Sequence, residues 1–402
     1  MANPFPLDGE TFLKIRISVR MLKCNFSCSY CVAAAGQSQV SGIDYSRGTR
    51  RNMWGTEEGR GMARRAIEWA ASLPYRIGVR YDVHGEPFLN ADVIEDLIWL
   101  TAQPNVAFVE VQTNASLFKK RLPELAGPIE PSRLKLFCTF HHTEIALDDF
   151  LANVTLAAEL GFDVVVNTLL STDNVAIIRE ALARCAELAI PTSADLKFPG
   201  FDVPATEAMS DAVDVDKRAR HFLSQDPIEA LLAAGEPGLE VFRTMADSGP
   251  LGREIRFLAA LLVGLYGGKG RLCSAGHDYL IVDNWGDVFP CTSYADTRTG
   301  RLGSVLDPGF VPALREAVYA PCQYAETCHQ KEEYGNLRLL REHRDLQTMS
   351  LNCVCGEGKA VDPRTLFDSR LALLETARHN PQTGRVGRPA TAGAAPAVAP
   401  VA

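Results

Sequence analysis

The chain is predicted to be an α/β protein: a partial (β/α)6 TIM-like barrel followed by a Cys-rich extension. Three observations predict it. From residue 12 to 198 short β-branched and aromatic stretches alternate with longer amphipathic ones; a β-then-α alternation implies a parallel sheet with right-handed crossovers and helices outside. The strand-like stretches number six, too few to close the eight-stranded barrel. After Pro199 the alternation stops, and the cysteines gather again between Cys273 and Cys355.

The strands are FLKIRISVR (12–20), RIGVRYDV (76–83), VAFVEVQT (106–113), RLKLFCTF (133–140), FDVVVNTLL (162–170) and ADLKF (194–198). Each is too short for a globular helix, and turn residues bound most of them. Between them, TEEGRGMARRAIEWAAS (56–72), DDFLANVTLAAELG (148–161) and NVAIIREALARCAELA (174–189) place apolar residues three and four apart, the period of a helix with one buried face. The expected organisation is an N-terminal extension (1–11), the barrel (12–198), a helical linker or lid (199–270), a Cys-rich domain (271–360), a closing helix (361–380) and a disordered tail (381–402). The tail ends RPATAGAAPAVAPVA, small and Pro-interrupted.

Across 402 residues, 41 basic side chains face 49 acidic ones, a formal net charge of -8. That balance argues against a nucleic-acid partner, since gripping phosphates takes a surplus of Lys and Arg. Hydrophobic residues make up 47% and charged residues 22%, enough to bury a large core. No apolar run approaches the roughly 20 residues a bilayer demands, and the opening MANPFPLDGETFLKIR has no signal-peptide pattern. A cytoplasmic protein with no membrane partner is the expectation.

Of eleven cysteines, three fall in MLKCNFSCSYCVAAA, directly after the first strand, spaced Cys24-x3-Cys28-x2-Cys31. Without an export signal, clustered cysteines read as metal ligands rather than disulfides. Three thiolates on one loop can hold three corners of a 4Fe–4S cube and leave the fourth iron open. A structural zinc site would want a fourth ligand from a second Cys pair, and none follows nearby.

Cx3CxΦC just after the first strand of a β/α alternation resembles the signature of the radical SAM superfamily, with Tyr30 as the aromatic residue before the third cysteine. The resemblance implies that the open iron binds S-adenosylmethionine (SAM). An electron from the cluster then splits the sulfonium into methionine and a 5′-deoxyadenosyl radical that abstracts hydrogen from substrate. It also places His84-Gly85-Glu86-Pro87 where the family carries GGEP, a backbone edge for the methionine amino group. His in place of the first Gly is a mild departure. Further SAM contacts are expected at later strand ends, from Thr113, Asn114, Thr139 and Asn167, with His141 beside them, because ligands of parallel β/α folds sit at the carboxyl ends of strands. Lys197 could meet a carboxylate or lie exposed. Cys138, mid-strand, is read as a buried small apolar residue.

Cys273, Gly286 and Cys291 follow a Cx12Gx4C pattern across a hairpin, then come Cys322-x5-Cys328 and Cys353-x-Cys355. This resembles the SPASM and Twitch extensions of radical SAM enzymes, with Gly286 permitting the turn. Tyr319 and Glu332 stand where the full SPASM run has cysteines. At least one auxiliary 4Fe–4S cluster is expected, on Cys273, Cys291 and two of the remaining four, with His277 or His329 available to assist; a tetrahedral zinc centre is the alternative.

The functional expectation is therefore a radical SAM enzyme acting on a small molecule, of sugar type for preference, reduced by an external donor such as flavodoxin or ferredoxin. Peptide maturation is the second reading: relatives of that kind often carry a leader-binding domain ahead of the first strand, where this chain has residues 1–11. A non-catalytic Fe–S or zinc protein is the alternative from another class.

Overall fold

A computed structural model describes residues 12–28, 57–170, 174–196 and 272–322, together with Glu333, Asn336, 379–380 and 385–386. The barrel elements are β1 (Leu13–Lys23), α1 (Glu57–Ser72), β2 (Ile77–Gly85), α2 (Ala91–Thr101), β3 (Val106–Thr113), α3 (Phe118–Leu125), β4 (Leu134–Phe140), α4 (Leu147–Glu159), β5 (Asp163–Leu170), α5 (Val175–Glu187) and β6 (Thr192–Leu196). The later part contributes β7 (Leu272–Cys273), β8 (Tyr279–Val282), β9 (Asp287–Phe289), α6 (Thr292–Thr297), β10 (Gly303–Ser304) and β11 (Ala320–Pro321). The expected linker 199–270 lies outside the described residues. So does most of the expected closing helix; its last two residues, His379–Asn380, instead pair antiparallel with Arg385–Val386.

Strands β1 to β6 are parallel neighbours in chain order, the α/β partial barrel expected. The strands alternate sharply. Leu13, Ile15, Ile17 and Val19 of β1 and Val79, Tyr81 and Val83 of β2 join one core with Ala66, Ile67 and Ala70 of α1 and with Leu97 and Leu100 of α2. The intervening residues, Lys14, Arg16 and Ser18, Arg80 and Asp82, then Glu110 and Gln112, occupy the opposite face, because successive side chains point to opposite sides of a strand. A parallel sheet covered by apolar layers on both faces would read as continuous hydrophobic runs. The charged alternation here marks a polar lumen instead.

The sheet does not end at β1. Strand β8 pairs parallel with its other edge, Lys14 opposite Tyr279 and Ile17 opposite Val282, and carries the antiparallel β9 and β10. Among the described residues nine strands thus form one sheet, ordered β10-β9-β8-β1-β2-β3-β4-β5-β6. Flat neighbours lie about 4.8 Å apart, so β8 and β4, with three strands between them, could not touch across a plane. Yet Phe137 of β4 and Tyr279 of β8 share one buried cluster, with Val165 and Cys291 packed against it. The sheet is curled, and this aromatic pair crosses its interior.

The extension also docks on the outer layer. Trp69 of α1 stacks on Phe310 with ring centroids 5.9 Å apart, and its indole N–H donates to the Phe310 carbonyl at 2.9 Å. Gly286, in the β8–β9 turn, has φ +82, and a Cβ there would lie 2.9 Å from both Met62 Sδ and Val305 Cγ2. Only glycine combines that left-handed backbone with so close an approach.

Candidate active site

The loop Cys24–Cys28 leaves β1 at its carboxyl end and is laced to the ends of two other strands. The Asn25 amide donates to Ser116 Oγ at 2.9 Å and its carbonyl oxygen accepts from Asn114 Nδ2 at 3.0 Å. The Ser27 main-chain N–H donates to Glu144 at 3.1 Å. The Phe26 ring meets the His141 ring edge-on, centroids 5.9 Å apart. Asn114 and Ser116 follow β3, and His141 and Glu144 follow β4.

The two described thiols of the first motif each face nitrogen atoms. Cys24 Sγ lies 3.4 Å from the Phe26 main-chain N–H and 3.8 Å from Asn114 Nδ2. Cys28 Sγ lies 3.5 Å from His141 Nδ1. Burial pulls the His141 imidazole down to about 4, against the raising effect of Glu144. Tyr30 and Cys31 lie outside the described residues.

His84 and Gly85 are the last residues of β2, facing Arg20 and Lys23 of β1, and Gly85 has φ +121. Glu86 turns inward and is 1% exposed. One carboxylate oxygen accepts from the Phe88 N–H at 3.1 Å and the Thr113 hydroxyl at 2.7 Å; the other accepts the Asn114 N–H at 2.7 Å. Burial pushes the Glu86 carboxyl up to about 7 even though these three hydrogen bonds favour its charge. Pro87 starts a short 3-10 turn and is buried. The Thr113 hydroxyl also accepts the N–H of Ala115 at 3.1 Å, and Ala115 sits at φ +59. Thr139 and Asn167 face each other across β4 and β5, both buried, and Thr139 Oγ1 accepts from Gln112 Nε2 at 3.3 Å. Of the sequence candidates, the structure therefore joins Glu86, Thr113 and Asn114 to one another, and Asn114 to Cys24. Lys197 lies outside the described residues. Cys138 is fully buried among the outer core, as expected.

What sequence reasoning missed is the ladder of charges on the lumen face. Arg16 Nε donates to Asp82 at 2.8 Å. Arg80 donates to Glu110 at 2.8 Å and to Gln112 at 3.2 Å, and Gln112 passes the chain on to Thr139. Burial opposes a charge on Asp82, but Arg16, Arg80 and His84 together hold its carboxyl well below the usual range. The signal was in the strands: K-x-R-x-S in β1 and R-x-D-x-H in β2 alternate charge with aliphatics.

The second cysteine group lies at the other end of the barrel. Strand β8 starts opposite the beginning of β1, and β9 returns toward that end, delivering Cys291 beside the Phe137–Tyr279 pair. Cys273 lies in β7, whose partner strand β11 immediately precedes Cys322. Burial pushes the Cys273 thiol up to about 12, and Cys322 and Glu333 add to the effect. Burial, then Glu333 and Cys273, raise Cys291 as well. Glu333 is buried and accepts from the Thr292 N–H at 2.8 Å and from the Thr292 hydroxyl at 2.6 Å. His277 Nδ1 is paired with the Arg315 carbonyl at 2.7 Å. Cys328, His329, Cys353 and Cys355 lie outside the described residues.

Among the described residues no three His, Cys, Asp or Glu side chains converge on a point that could hold a single metal ion. The donor chemistry is that of a cluster site in both places: each iron of a cube takes one thiolate, N–H groups face Cys24 and the His141 ring nitrogen faces Cys28, and a metal centre would offset the cost of ionising the buried second group. No helix among the described residues is long and apolar enough to cross a membrane.

No protein-family model matches the chain, and no curated protein does. Solved structures do. Tagged anSMEcpe with bound AdoMet is 12% identical at a TM-score of 0.41, covering 91% of this chain and 96% of that one. BtrN in complex with AdoMet and 2-DOIA is 14% identical at 0.34, covering 74% and 80%. SuiB of Streptococcus suis bound to its precursor peptide SuiA is 14% identical at 0.39, covering 75% and 63%.

Proposed function

We propose that this protein is a radical SAM enzyme. The observation that carries the reading is the position of Cys24 and Cys28, directly past the carboxyl end of β1 in a parallel β/α barrel and bridged to the ends of β3 and β4. Cys31 completes the motif. A 4Fe–4S cluster on these three cysteines, with SAM on its open iron, would supply the electron that yields methionine and a 5′-deoxyadenosyl radical for hydrogen abstraction.

The chain's own part is to position and to seclude. Asn25, Ser27, Asn114, Ser116 and Glu144 hold the cysteine loop against the barrel. Glu86 fixes the turn that carries Asn114. His84, Gly85, Pro87 and Thr139, at or next to the carboxyl ends of β2 and β4, and Asn167, within β5 opposite Thr139, would be the further contacts to SAM. The β8–β9 hairpin closes one edge of the sheet, and Phe137 with Tyr279 fills the interior beneath, keeping water from a reactive radical.

Cys273, Cys291 and Cys322 would hold an auxiliary 4Fe–4S cluster with a fourth ligand from Cys328, Cys353 or Cys355. The polar lumen, rich in hydrogen-bonding groups, supports a small hydroxyl- or amine-bearing substrate of sugar type, with a peptide as the second reading. Electrons would come from a flavodoxin- or ferredoxin-type donor in the cytoplasm. The test is to reconstitute the full chain anaerobically, reduce it with dithionite and add SAM. Release of 5′-deoxyadenosine and methionine is expected; bound iron with no nucleoside would leave a non-catalytic Fe–S protein.

A further inference from the structure

Each described thiol of the first motif has a side-chain nitrogen from a different strand end beside it: Asn114 Nδ2 at 3.8 Å from Cys24 Sγ, after β3, and His141 Nδ1 at 3.5 Å from Cys28 Sγ, after β4. Neither contact is an accident of a mobile side chain. Asn114 is 4% exposed; its carbonyl oxygen accepts from the Ser116 N–H and hydroxyl at 3.0 and 2.6 Å, which turns its amide toward the cysteine loop. The His141 ring is held edge-on against Phe26, inside the same loop.

We propose that Asn114 and His141 donate hydrogen bonds to the sulfurs of Cys24 and Cys28 and thereby raise the reduction potential of the cluster those cysteines hold. The inference rests on the cluster reading above. Its physical basis is general. Adding an electron increases the negative charge on the sulfurs, so an N–H aimed at them stabilises the reduced form more than the oxidised form. Asn114 and His141 are positioning residues: they act through the cysteines, and no contact with SAM is required of them.

The experiment is an EPR-monitored redox titration of the anaerobically reconstituted full chain, alongside iron analysis. The signal of the first cluster is taken as the part missing from a variant with Cys24, Cys28 and Cys31 all changed to Ala. His141→Phe keeps a ring against Phe26 but has no donor. It is expected to bind as much iron as the wild type and to become harder to reduce. The ratio of reduced to oxidised cluster at a fixed poise should fall about tenfold, a shift of about 59 mV for a one-electron couple. Asn114→Ala should shift the same way, and His141→Gln, which restores an N–H, should recover part of the loss. Unchanged potentials in both His141→Phe and Asn114→Ala would overturn the inference. Iron loss from His141→Phe would overturn it too, by making His141 a ligand or a structural prop. A wild-type chain with no signal that depends on the three cysteines would overturn the cluster reading itself.

Discussion

Glu86 Oε2 lies 2.7 Å from the main-chain nitrogen of Asn114, so a carboxylate at the end of β2 holds the turn that follows β3. Through Asn114 the link continues to Cys24. The acidic residue of the Gly-Glu-Pro turn is thus linked, through Asn114, to the cysteine loop.

That arrangement gives a pH dependence with a definite sign. The Glu86 carboxyl sits at about 7 in the folded chain against an ordinary 4.5. Between those values the folded state holds the extra proton, so stability falls as pH rises. The penalty is absent below about 4.5 and complete above about 7, and is a few kcal/mol at most. Denaturant titrations across this range should show a falling stability in the wild type and a flatter profile in Glu86→Gln. At pH 7 that variant should also lose about 1–3 kcal/mol of its own, because its amide nitrogen cannot accept the Asn114 N–H. Equal slopes in the two proteins would contradict the assignment.

The Arg80–Glu110 pair, each side chain 4% exposed, predicts a strong asymmetry. Arg80→Met alone should destabilise the protein by about 3–5 kcal/mol, since it strands a buried carboxylate. Replacing both partners with apolar residues should recover much of that. Chemical denaturation midpoints of the single and double variants measure it.

Gly286→Ala should be costly because Gly286 is both a left-handed turn residue and a point of close packing. The left-handed backbone and the 2.9 Å approach of Met62 and Val305 predict a loss of about 1–3 kcal/mol. With the auxiliary cluster proposed on Cys273 and Cys291, iron per chain should also decline as the hairpin shifts. Thermal unfolding and iron per chain are the readouts.

Cys138 and Cys185 are buried in the outer core, where burial pushes the Cys185 thiol up to about 12 and Cys138 well above its usual range. Changing either to Ala should leave iron content untouched, whereas Cys273→Ala and Cys291→Ala should lower it. Iron analysis of the four variants separates structural from ligand cysteines.

The barrel was legible because its signal is local. The stretch VAFVEVQT is strand β3 to the residue, and the helix read over 56–72 is α1 from Glu57. Helix α3 is not legible in the same way, because Pro123 lies inside it and breaks the expected pattern. The β8–β9 hairpin is legible in the sequence and present in the structure, but the parallel pairing of β8 with β1 joins residues more than two hundred positions apart. No periodicity encodes such a partner. The same holds within the site. The spacing of Cys24 and Cys28 points to a metal-binding loop, while the approach of Asn114 and His141 depends on how the ends of β3 and β4 come together. Glu86 looked like a rim residue, and only the closed turn reveals that its carboxylate faces inward.

The central claim is tested most directly by SAM cleavage in two proteins prepared side by side: the wild type, and a variant with Cys24, Cys28 and Cys31 replaced by Ala. Under dithionite the wild type should release 5′-deoxyadenosine while the variant releases none and keeps only the iron held by its later cysteines. Equal nucleoside release from both would contradict the account.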